Sequence, residues 1–258
     1  INDLRNFELR IIKHILEDPD LDLSILIFDG RKSNNKFSFF RKIKRHINRG
    51  KILSKILLKL QEKLENRLFR INPIKNKEKL IKELGKVDKI FLYPDRKGFL
   101  DIFSKKDFDD VSKYDLDLII RFEFDIIRGN ILDASRNGIW SFHHGDNRIN
   151  RGGPSCFWEI VHKHKSVGVT LQKLTPELDA GYVIDRGTYN IHWSWINTRN
   201  RVLESSVSLL IKNLNKLKNN KIIYKESGIY FNTLFKFPAL IFSLKYLILF
   251  YLNIISSI

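Results

Sequence analysis

Two adjacent histidines open the part of the sequence with the greatest density of groups able to do chemistry. His143 and His144 follow an apolar stretch, residues 138–142, and precede a polar, glycine-rich stretch. Histidine changes its charge near neutral pH, which suits it to proton transfer and hydrogen-bond donation. Polar loops at strand ends commonly carry function, and glycine lets the backbone approach a ligand closely. We therefore expect a site here, with these loop residues as binding groups: Asp146, Arg148, Arg151 and Gly152.

The charged side chains of this loop admit two interpretations. Arg148 and Arg151 carry planar guanidinium groups that suit a phosphate or carboxylate of a substrate. They suit an internal ion pair that holds the loop equally well. Asp146 would be the partner in that case, or would select an amino substrate. The sequence leaves these alternatives open.

A second segment, residues 167–184, begins with Gly168-Val169-Thr170 in an apolar stretch and continues to Asp179-Ala180-Gly181. Taken alone, the latter tripeptide is an ordinary turn signal.

The two segments together resemble the formyltransferase family, which includes methionyl-tRNA formyltransferase, glycinamide ribonucleotide formyltransferase and the sugar-amine formyltransferases. That family carries Asn-x-His at the end of a strand, a loop ending in Arg-Gly, then Gly-Val-Thr and Asp-x-Gly. The resemblance covers about residues 110–190. His143 and Asp179 are 36 residues apart, as in the family. The matching positions are Ser141-Phe142-His143, Arg151-Gly152, Gly168-Val169-Thr170 and Asp179-Ala180-Gly181.

The resemblance implies transfer of a formyl group from 10-formyltetrahydrofolate to a small-molecule amine, and we expect a sugar or nucleotide-sugar amine. It implies that His143 donates a hydrogen bond to the formyl oxygen as negative charge builds there. It also implies that Asp179 orients this imidazole and helps to move the amine's proton. We therefore expect both side chains in one cleft at the carboxyl edge of the sheet. His144 is expected to bind substrate, and no metal-ligand spacing is present.

Two departures from the family pattern concern the same strand end. Ser141 stands where the family has asparagine, and its hydroxyl is a shorter donor whose proton can rotate away. The loop that begins at Gly145 replaces the family's Ser-Leu-Leu-Pro. With Phe157-Trp158-Glu159, it resembles a divergent subgroup of formyltransferase-like domains, which belong to larger proteins with a further domain related to glycan or glycolipid transferases.

Arg121 lies within an apolar stretch that is expected to form a strand ending near the site. A buried arginine needs a partner. Glu123, two residues later, would lie on the same face of the strand. We expect these two residues to form a structural ion pair, with substrate binding by Arg121 as the alternative.

Alternating apolar stretches predict an α/β fold, Rossmann-like, with a mostly parallel sheet and helices on both faces. Strands are predicted at residues 23–28, 89–93, 117–122, 138–142, 167–174 and 182–191. Helices are predicted at residues 5–17, 52–68, 126–132 and 196–217. Because no strand precedes the first helix and residue 1 is Ile, we expect a fragment of the formyltransferase fold that lacks its first strand.

We divide the chain into three parts. Residues 1–195 form the catalytic domain, with a basic helical insert at 31–84, residues 196–237 its helical extension, and residues 238–258 an apolar segment that leads to a missing region. The net charge is +17, but basic residues are spread along the chain, so a nucleic-acid partner is not expected. We expect a cytoplasmic protein, with membrane contact through 239–258 as an alternative to a buried helix. The sequence does not indicate an oligomeric state.

Two further functions compete with formyl transfer. One is a non-catalytic ligand-binding module of a larger glycan-related protein, in which Ser141 marks lost chemistry. The other is hydrolysis of formylfolate, which would use His143 and Asp179 without an amine pocket. Binding of a reduced folate separates the first alternative from the enzymes.

Overall fold

The computed structural model describes residues 4–31, 49–176, 181–226 and 234–256. These ranges contain seven α-helices and eleven strands. The helices are α1 (Asn6–Glu17), α2 (Arg49–Leu68), α3 (Lys77–Leu84), α4 (Lys105–Ser112), α5 (Phe157–Val161), α6 (Trp195–Lys218) and α7 (Leu240–Ile255). The strands are β1 (Ile25–Asp29), β2 (Asp88–Leu92), β3 (Asp95–Lys97), β4 (Leu100–Ile102), β5 (Ile119–Arg121), β6 (Ile126–Arg128), β7 (Ile139–His143), β8 (Arg151–Gly152), β9 (Ser166–Lys173), β10 (Tyr182–Asn190) and β11 (Leu234–Phe235).

The sheet that carries His143 has four strands in the order β10-β9-β7-β5. β5 and β7 are parallel, whereas β9 is antiparallel to both β7 and β10. β1 and β2 form a separate parallel pair. The predicted α/β class is confirmed. Within the described ranges four strand pairings are parallel and three are antiparallel. The antiparallel pairings are β3–β4, β7–β9 and β9–β10.

Both faces of this sheet are covered by hydrophobic clusters. Successive residues of a strand point to opposite sides of the sheet, and Ile139 and Trp140 of β7 belong to different clusters. Trp140 and Leu171 are fully buried in the main core, together with residues of α1, α5, α6 and α7. Ile139 belongs to a second cluster that includes Val111 of α4 and Ile127 of β6. This division of the core confirms the expectation that helices lie on both faces of the sheet.

Helix α2 of the basic insert is anchored by one buried carboxylate. Glu65 is fully buried and accepts hydrogen bonds from Tyr246 Oη of α7 (2.5 Å), from the hydroxyl of Ser194 and from the backbone N–H of Ile196 (3.0 Å). Ser194 is the N-cap of α6. Glu65 therefore joins α2, α6 and α7 and satisfies an amide at the start of α6. Residues 32–48 of the predicted insert lie outside the described ranges.

The structure differs from the prediction at two elements. Residues 126–132 were predicted to be helical, but Ile126–Arg128 form a strand parallel to β4, and only Asn130–Asp133 form a short 3-10 helix. Short apolar runs do not distinguish strand from helix by periodicity, and here β4 supplies the pairing partner. Helix α5 was not predicted, because five residues are too few to show a helical period.

Within the apolar segment at 238–258, Leu240–Ile255 form α7, and one face of this helix is buried. Ser243, Tyr246 and Phe250 are buried, whereas Ile241 and Ile248 on the opposite side are 67% and 60% exposed. None of the described helices combines the length and the apolar character needed to cross a membrane. Contact of 239–258 with a membrane surface stays a prediction.

Candidate functional site

His143 is the last residue of β7 and lies in a patch of polar side chains on one face of the sheet. In the strand register, Ser141 is opposite Arg121 of β5 and Gln172 of β9, and His143 is opposite Thr170. Residues directly opposite each other in neighbouring strands share a face. The structure thus brings together three residues singled out from the sequence, His143, Ser141 and Arg121. It places Thr170 of the Gly-Val-Thr motif beside them and adds Gln172.

Arg121 contacts Ser141 directly across the two strands. Its Nη1 donates a hydrogen bond to Ser141 Oγ at 3.1 Å, and its Nε donates to the backbone carbonyl of Glu123 at 3.1 Å. Burial lowers the pKa of Arg121 from its usual value, although the charges of Glu123 and Asp101 oppose this. The predicted ion pair between Arg121 and Glu123 is not formed, because the Glu123 carboxylate points to solvent and to Arg5.

Ser141 is 3% exposed, so its hydroxyl is held within the sheet rather than in open solvent. Because the guanidinium of Arg121 occupies an acceptor site of this oxygen, the hydroxyl proton remains for another acceptor. A hydroxyl held in this way is a better-defined donor than an unheld serine.

The Gly-Val-Thr motif supports the loop that follows His143. A side chain at Gly168 would place its Cβ 2.7 Å from the Cβ of Asp146, which is closer than atoms can pack. Thr170 Oγ1 donates a hydrogen bond to the carbonyl of Gly145 at 3.3 Å. The motif therefore acts through packing and backbone support, since it sets how closely the loop approaches β9.

The Arg-Gly motif has an equally local explanation. Gly152 has φ +91°, a conformation that favours glycine, and a Cβ there would lie 2.0 Å from the carbonyl oxygen of Phe235. Gly152 lies in β8, which pairs in parallel with β11. This close pairing brings Phe235 to the edge of the site. Substrate binding by Gly152 stays a prediction.

The charged residues of the loop include one closed ion pair. Arg148 Nη2 lies 2.6 Å from Asp146 Oδ2, and Arg148 Nε donates to Asp146 Oδ1 at 2.9 Å. Burial raises the pKa of Asp146, but the hydrogen bonds and charge of Arg148 outweigh it and lower the pKa below its usual value. The internal pair, one of the two interpretations of these residues, is therefore formed. Arg151 lies in β8 at the cleft described below.

His144 points into the protein. Its ring packs between Phe7 and Phe142, at centroid distances of 5.8 and 5.6 Å. Its Nε2 is buried and has no hydrogen-bond partner in the described ranges. Burial, with smaller contributions from the charges of Arg5 and His143, lowers the pKa of His144 to about 3. His144 is therefore neutral at physiological pH.

A small cleft lies beside His143. It has room for about one water molecule. Its polar residues include Asn150 and Glu159, which the sequence did not single out for chemistry. Asn150 Nδ2 is buried without a hydrogen-bond partner in the described part of the chain. The lining residues are His143, His144, Gly145, Asn150, Arg151, Gly152, Pro154, Ser155, Cys156, Trp158, Glu159 and Phe235.

Cys156 contributes bulk rather than reactivity to this cleft. It is fully buried, and burial raises the pKa of its thiol to about 12. The thiol is therefore protonated at neutral pH, and the thiolate is the nucleophilic form.

Asp179 lies outside the described residues, as do its neighbours 177–180. On the described side, the backbone N–H of Leu174 donates to the carbonyl of Ile139 at 2.8 Å, and Tyr182 pairs with Lys173. Both contacts lie near the amino end of β7, whereas His143 ends that strand. The convergence of His143 and Asp179 stays a prediction.

Comparison with known proteins gives similar structures but no similar sequence. No protein-family model and no curated protein matches the chain. A sugar N-formyltransferase from Shewanella sp. FDAARGOS_354 is 19% identical, with a TM-score of 0.47, over 86% of this chain and 87% of that one.

Two other solved structures align over a shorter length. The N-formyltransferase from Helicobacter canadensis, in complex with folinic acid and dTDP-3-aminofucose, is 19% identical with a TM-score of 0.39. WlaRD, a sugar 3N-formyltransferase crystallised with dTDP and 5-N-formyl-THF, is 14% identical with a TM-score of 0.43. The alignments span 44% and 52% of those two chains. Sugar N-formyltransferases are thus among the solved structures to which this chain is similar.

Proposed function

We propose that this chain transfers a formyl group from 10-formyltetrahydrofolate to an amine, with His143 as the principal hydrogen-bond donor to the formyl oxygen. The observation that carries this proposal is the row of donors on one face of the sheet. His143 ends β7, and Ser141, two residues earlier, is held by the guanidinium of Arg121 at 3.1 Å. Donors fixed before the reaction stabilise charge that develops on an oxygen.

Arg121, Ser141 and His143 lie side by side: Arg121 Nη1 donates to Ser141 Oγ, and Ser141 and His143 are two residues apart on one face of β7. In this proposal His143 donates through its ring, Ser141 donates the hydroxyl proton that Arg121 leaves available, and Arg121 adds its positive charge. Removal of one such donor typically costs about 2.7–4 kcal/mol of transition-state stabilisation. Asp179 is proposed as the carboxylate that orients His143, on the strength of the motif.

The proposal extends to the acceptor and the setting of the protein. The amine is proposed to belong to a sugar or nucleotide sugar, and the protein is proposed to act in the cytoplasm. The division into a catalytic domain at 1–195, an extension at 196–237 and an apolar segment at 238–258 is part of the same proposal. Arg148 is engaged with Asp146, so we assign to that pair the role of holding the shape of the loop.

The test of this function begins with the donor. Folinic acid should bind to the protein in isothermal titration calorimetry, and 10-formyltetrahydrofolate should support formylation of an amino sugar. His143→Ala should lower kcat by about 100-fold or more, since it removes the main donor. Asp179→Asn should also be severe, because an amide does not fix the imidazole in the same way. A protein that binds no folate and keeps its cellular function after His143→Ala would be a binding module instead.

Ser141 provides a graded control within the same strand. Ser141→Ala should lower kcat less than His143→Ala, because it removes a secondary donor and leaves the imidazole in place. Ser141→Asn should retain activity or raise it, since the amide can accept from Arg121 through its oxygen and donate through its nitrogen. Equal losses for Ser141→Ala and Ser141→Asn would contradict the assigned role of this position.

A further inference from the structure

A groove on the surface of the protein is lined by the end of α2, with the residues that follow it, and by the first turns of α6. Its volume is about 430 Å³, and sites that hold small organic ligands have volumes of this order. Among the described residues, none lines both this groove and the cleft beside His143. The groove is therefore a separate candidate site.

The side of the groove that α6 forms is polar. Asn197, Asn200 and Arg201 lie on one face of the helix, because residues three and four apart are neighbours there. The backbone N–H of Asn197 is already used, since it donates to Ser194 Oγ at 3.0 Å. The side chain of Asn200 is different. It is 8% exposed, and its amide makes no hydrogen bond with the residues that the structure describes. A nearly buried amide of this kind needs a partner from the groove.

The groove carries a surplus of positive charge. Arg70 and Arg201 are both exposed, and neither forms an ion pair with any residue in the described ranges. The carboxylate that lines the groove, Glu204, is engaged by a residue outside it, since Arg10 Nε lies 2.8 Å from Glu204 Oε2. Two guanidinium groups therefore line the groove without a counter-ion from the described part of the protein.

The side of the groove at residues 68–71 is apolar apart from Arg70. Phe69 is held in place by two rings, because it packs edge-on against His192 and Trp193 at centroid distances of 5.2 and 5.4 Å. Leu68 and Ile71 extend this apolar surface. A ligand that carries both a ring and an anionic group would match the two sides of the groove.

We propose that this groove binds an organic phosphate of the size of a mononucleotide. Arg70 and Arg201 bind the phosphate, since a guanidinium keeps its charge at all physiological pH values and presents a fork of donors that suits phosphate oxygens. Asn200 hydrogen-bonds to the same ligand, and the ring of the ligand packs on Phe69. The inference does not depend on formyl transfer, because none of the residues proposed for that reaction lines the groove.

Uridine 5′-monophosphate and uridine are a matched pair of probes, because they differ by the phosphate. In saturation-transfer NMR the wild-type protein should prefer the monophosphate, and added salt should weaken this binding. Arg70→Gln with Arg201→Gln should weaken it by about tenfold or more, which is the usual value of a hydrogen bond to a charged group. The control is Lys63→Gln with Arg67→Gln. It removes two exposed charges of α2 outside the groove and should bind like the wild type.

Asn200→Leu provides a second readout, because leucine has a similar size and cannot form hydrogen bonds. A ligand-binding role predicts weaker binding of the monophosphate at an unchanged or higher melting temperature, since an amide without a protein partner is removed. A purely structural role predicts the opposite result, a lower melting temperature with unchanged binding.

Three results would overturn the inference. They are a wild-type protein with no preference for the monophosphate, an unchanged affinity after Arg70→Gln with Arg201→Gln, and an equal loss in the control, which would show only nonspecific attraction to a basic surface. Folinic acid binding to the same samples tests the proposed function separately. A protein that binds the monophosphate in the groove but no folate would support this inference and contradict formyl transfer, and the reverse result would do the opposite.

Discussion

Ser141 and Arg121 illustrate how strand register decides the chemistry of a side chain. The sequence marks Ser141 because it stands in a motif where asparagine is expected, and it marks Arg121 because an arginine is unusual in an apolar strand. Their hydrogen bond depends on which residue of β5 lies opposite which residue of β7. Register is a long-range property, and a shift of one residue would move Arg121 to the other face. The residues were therefore predictable, and their contact was not.

Glu159 and Glu65 show the same limit for carboxylates. Nothing in the local sequence distinguishes either residue from an exposed glutamate, because the sequences of α2 and α5 do not indicate which other elements cover these helices. Burial by α6 and α7 makes Glu65 a structural acceptor with several donors, whereas Glu159 is buried beside a cleft. These different surroundings follow from tertiary contacts alone.

His144 should make the stability of the protein depend on pH. Its pKa is about 3 in the folded protein and about 6.5 when unfolded, so the unfolded chain binds more protons between these values. Stability is therefore complete above pH 6.5 and falls as the pH decreases toward 3, with a slope of at most about 1.4 kcal/mol per pH unit from this group. Urea unfolding of the wild type should show a smaller free energy of unfolding at pH 5 than at pH 7.5.

The variant His144→Phe isolates this contribution. Phenylalanine keeps the ring contacts with Phe7 and Phe142 and removes the titrating group. The variant should lose less stability than the wild type between pH 7.5 and pH 5. The same pH dependence in both proteins would show that His144 is accessible to protons in the folded state.

At the level of elements, periodicity located most of the fold. The helix predicted at 5–17 is Asn6–Glu17, the helix predicted at 196–217 is Trp195–Lys218, and the strand predicted at 138–142 is Ile139–His143. These stretches are long, or bounded by glycine, or strongly patterned. The errors fall where partners decide the structure. Residues 126–128 become a strand because β4 pairs with them, and β9 and β10 fold as an antiparallel hairpin.

The connection between α2, α6 and α7 should depend on Glu65. Glu65→Ala would leave the N–H of Ile196 and the hydroxyl of Tyr246 without their buried acceptor. Each unsatisfied buried group costs about 1–3 kcal/mol, so the free energy of unfolding should fall by at least about 2 kcal/mol. The control is Glu62→Ala, one turn earlier in the same helix, which removes a surface pair with Arg199 and should cost less than about 1 kcal/mol. Chemical denaturation measures both, and equal losses would show that Glu65 does not anchor the insert.

The surface of the molecule combines basic and apolar areas. These areas bear on the two partners considered in the sequence analysis, a nucleic acid and a membrane. The charge of +17 is spread over the chain, and such a charge promotes weak association with any polyanion. Helix α2 places Lys51, Lys55, Lys59 and Lys63 on exposed positions four residues apart. It packs against α7 through the hydroxyls of Ser54 and Ser243, which lie 2.7 Å apart. Basic and apolar surfaces thus adjoin each other on neighbouring helices.

The exposed face of α7 is the part of this surface from which membrane contact is expected. Its large apolar residues recur every three or four positions, opposite the buried face, and the helix has one charged residue, Lys245. A helix that is apolar on its outer side and adjoins lysines can lie in the interface of an anionic bilayer without crossing it. The exposed residues of this face are Ile241, Leu244, Ile248, Tyr251, Leu252 and Ile255.

Vesicle flotation tests this expectation. The protein should float with vesicles that contain phosphatidylglycerol and should bind less to pure phosphatidylcholine, and added salt should weaken the binding because the lysine contribution is electrostatic. Ile248→Ser with Leu252→Ser should reduce binding by about tenfold or more, since burial of an apolar side chain contributes about 1.5–3 kcal/mol. Ile223→Ser, at a residue that is 69% exposed outside α7, is the matched control and should bind like the wild type. Equal binding by the α7 variant and the control would show that the apolar face of α7 does not touch lipid. If the wild type instead self-associates and the double substitution abolishes that association, the face belongs to a contact with a second copy of the chain.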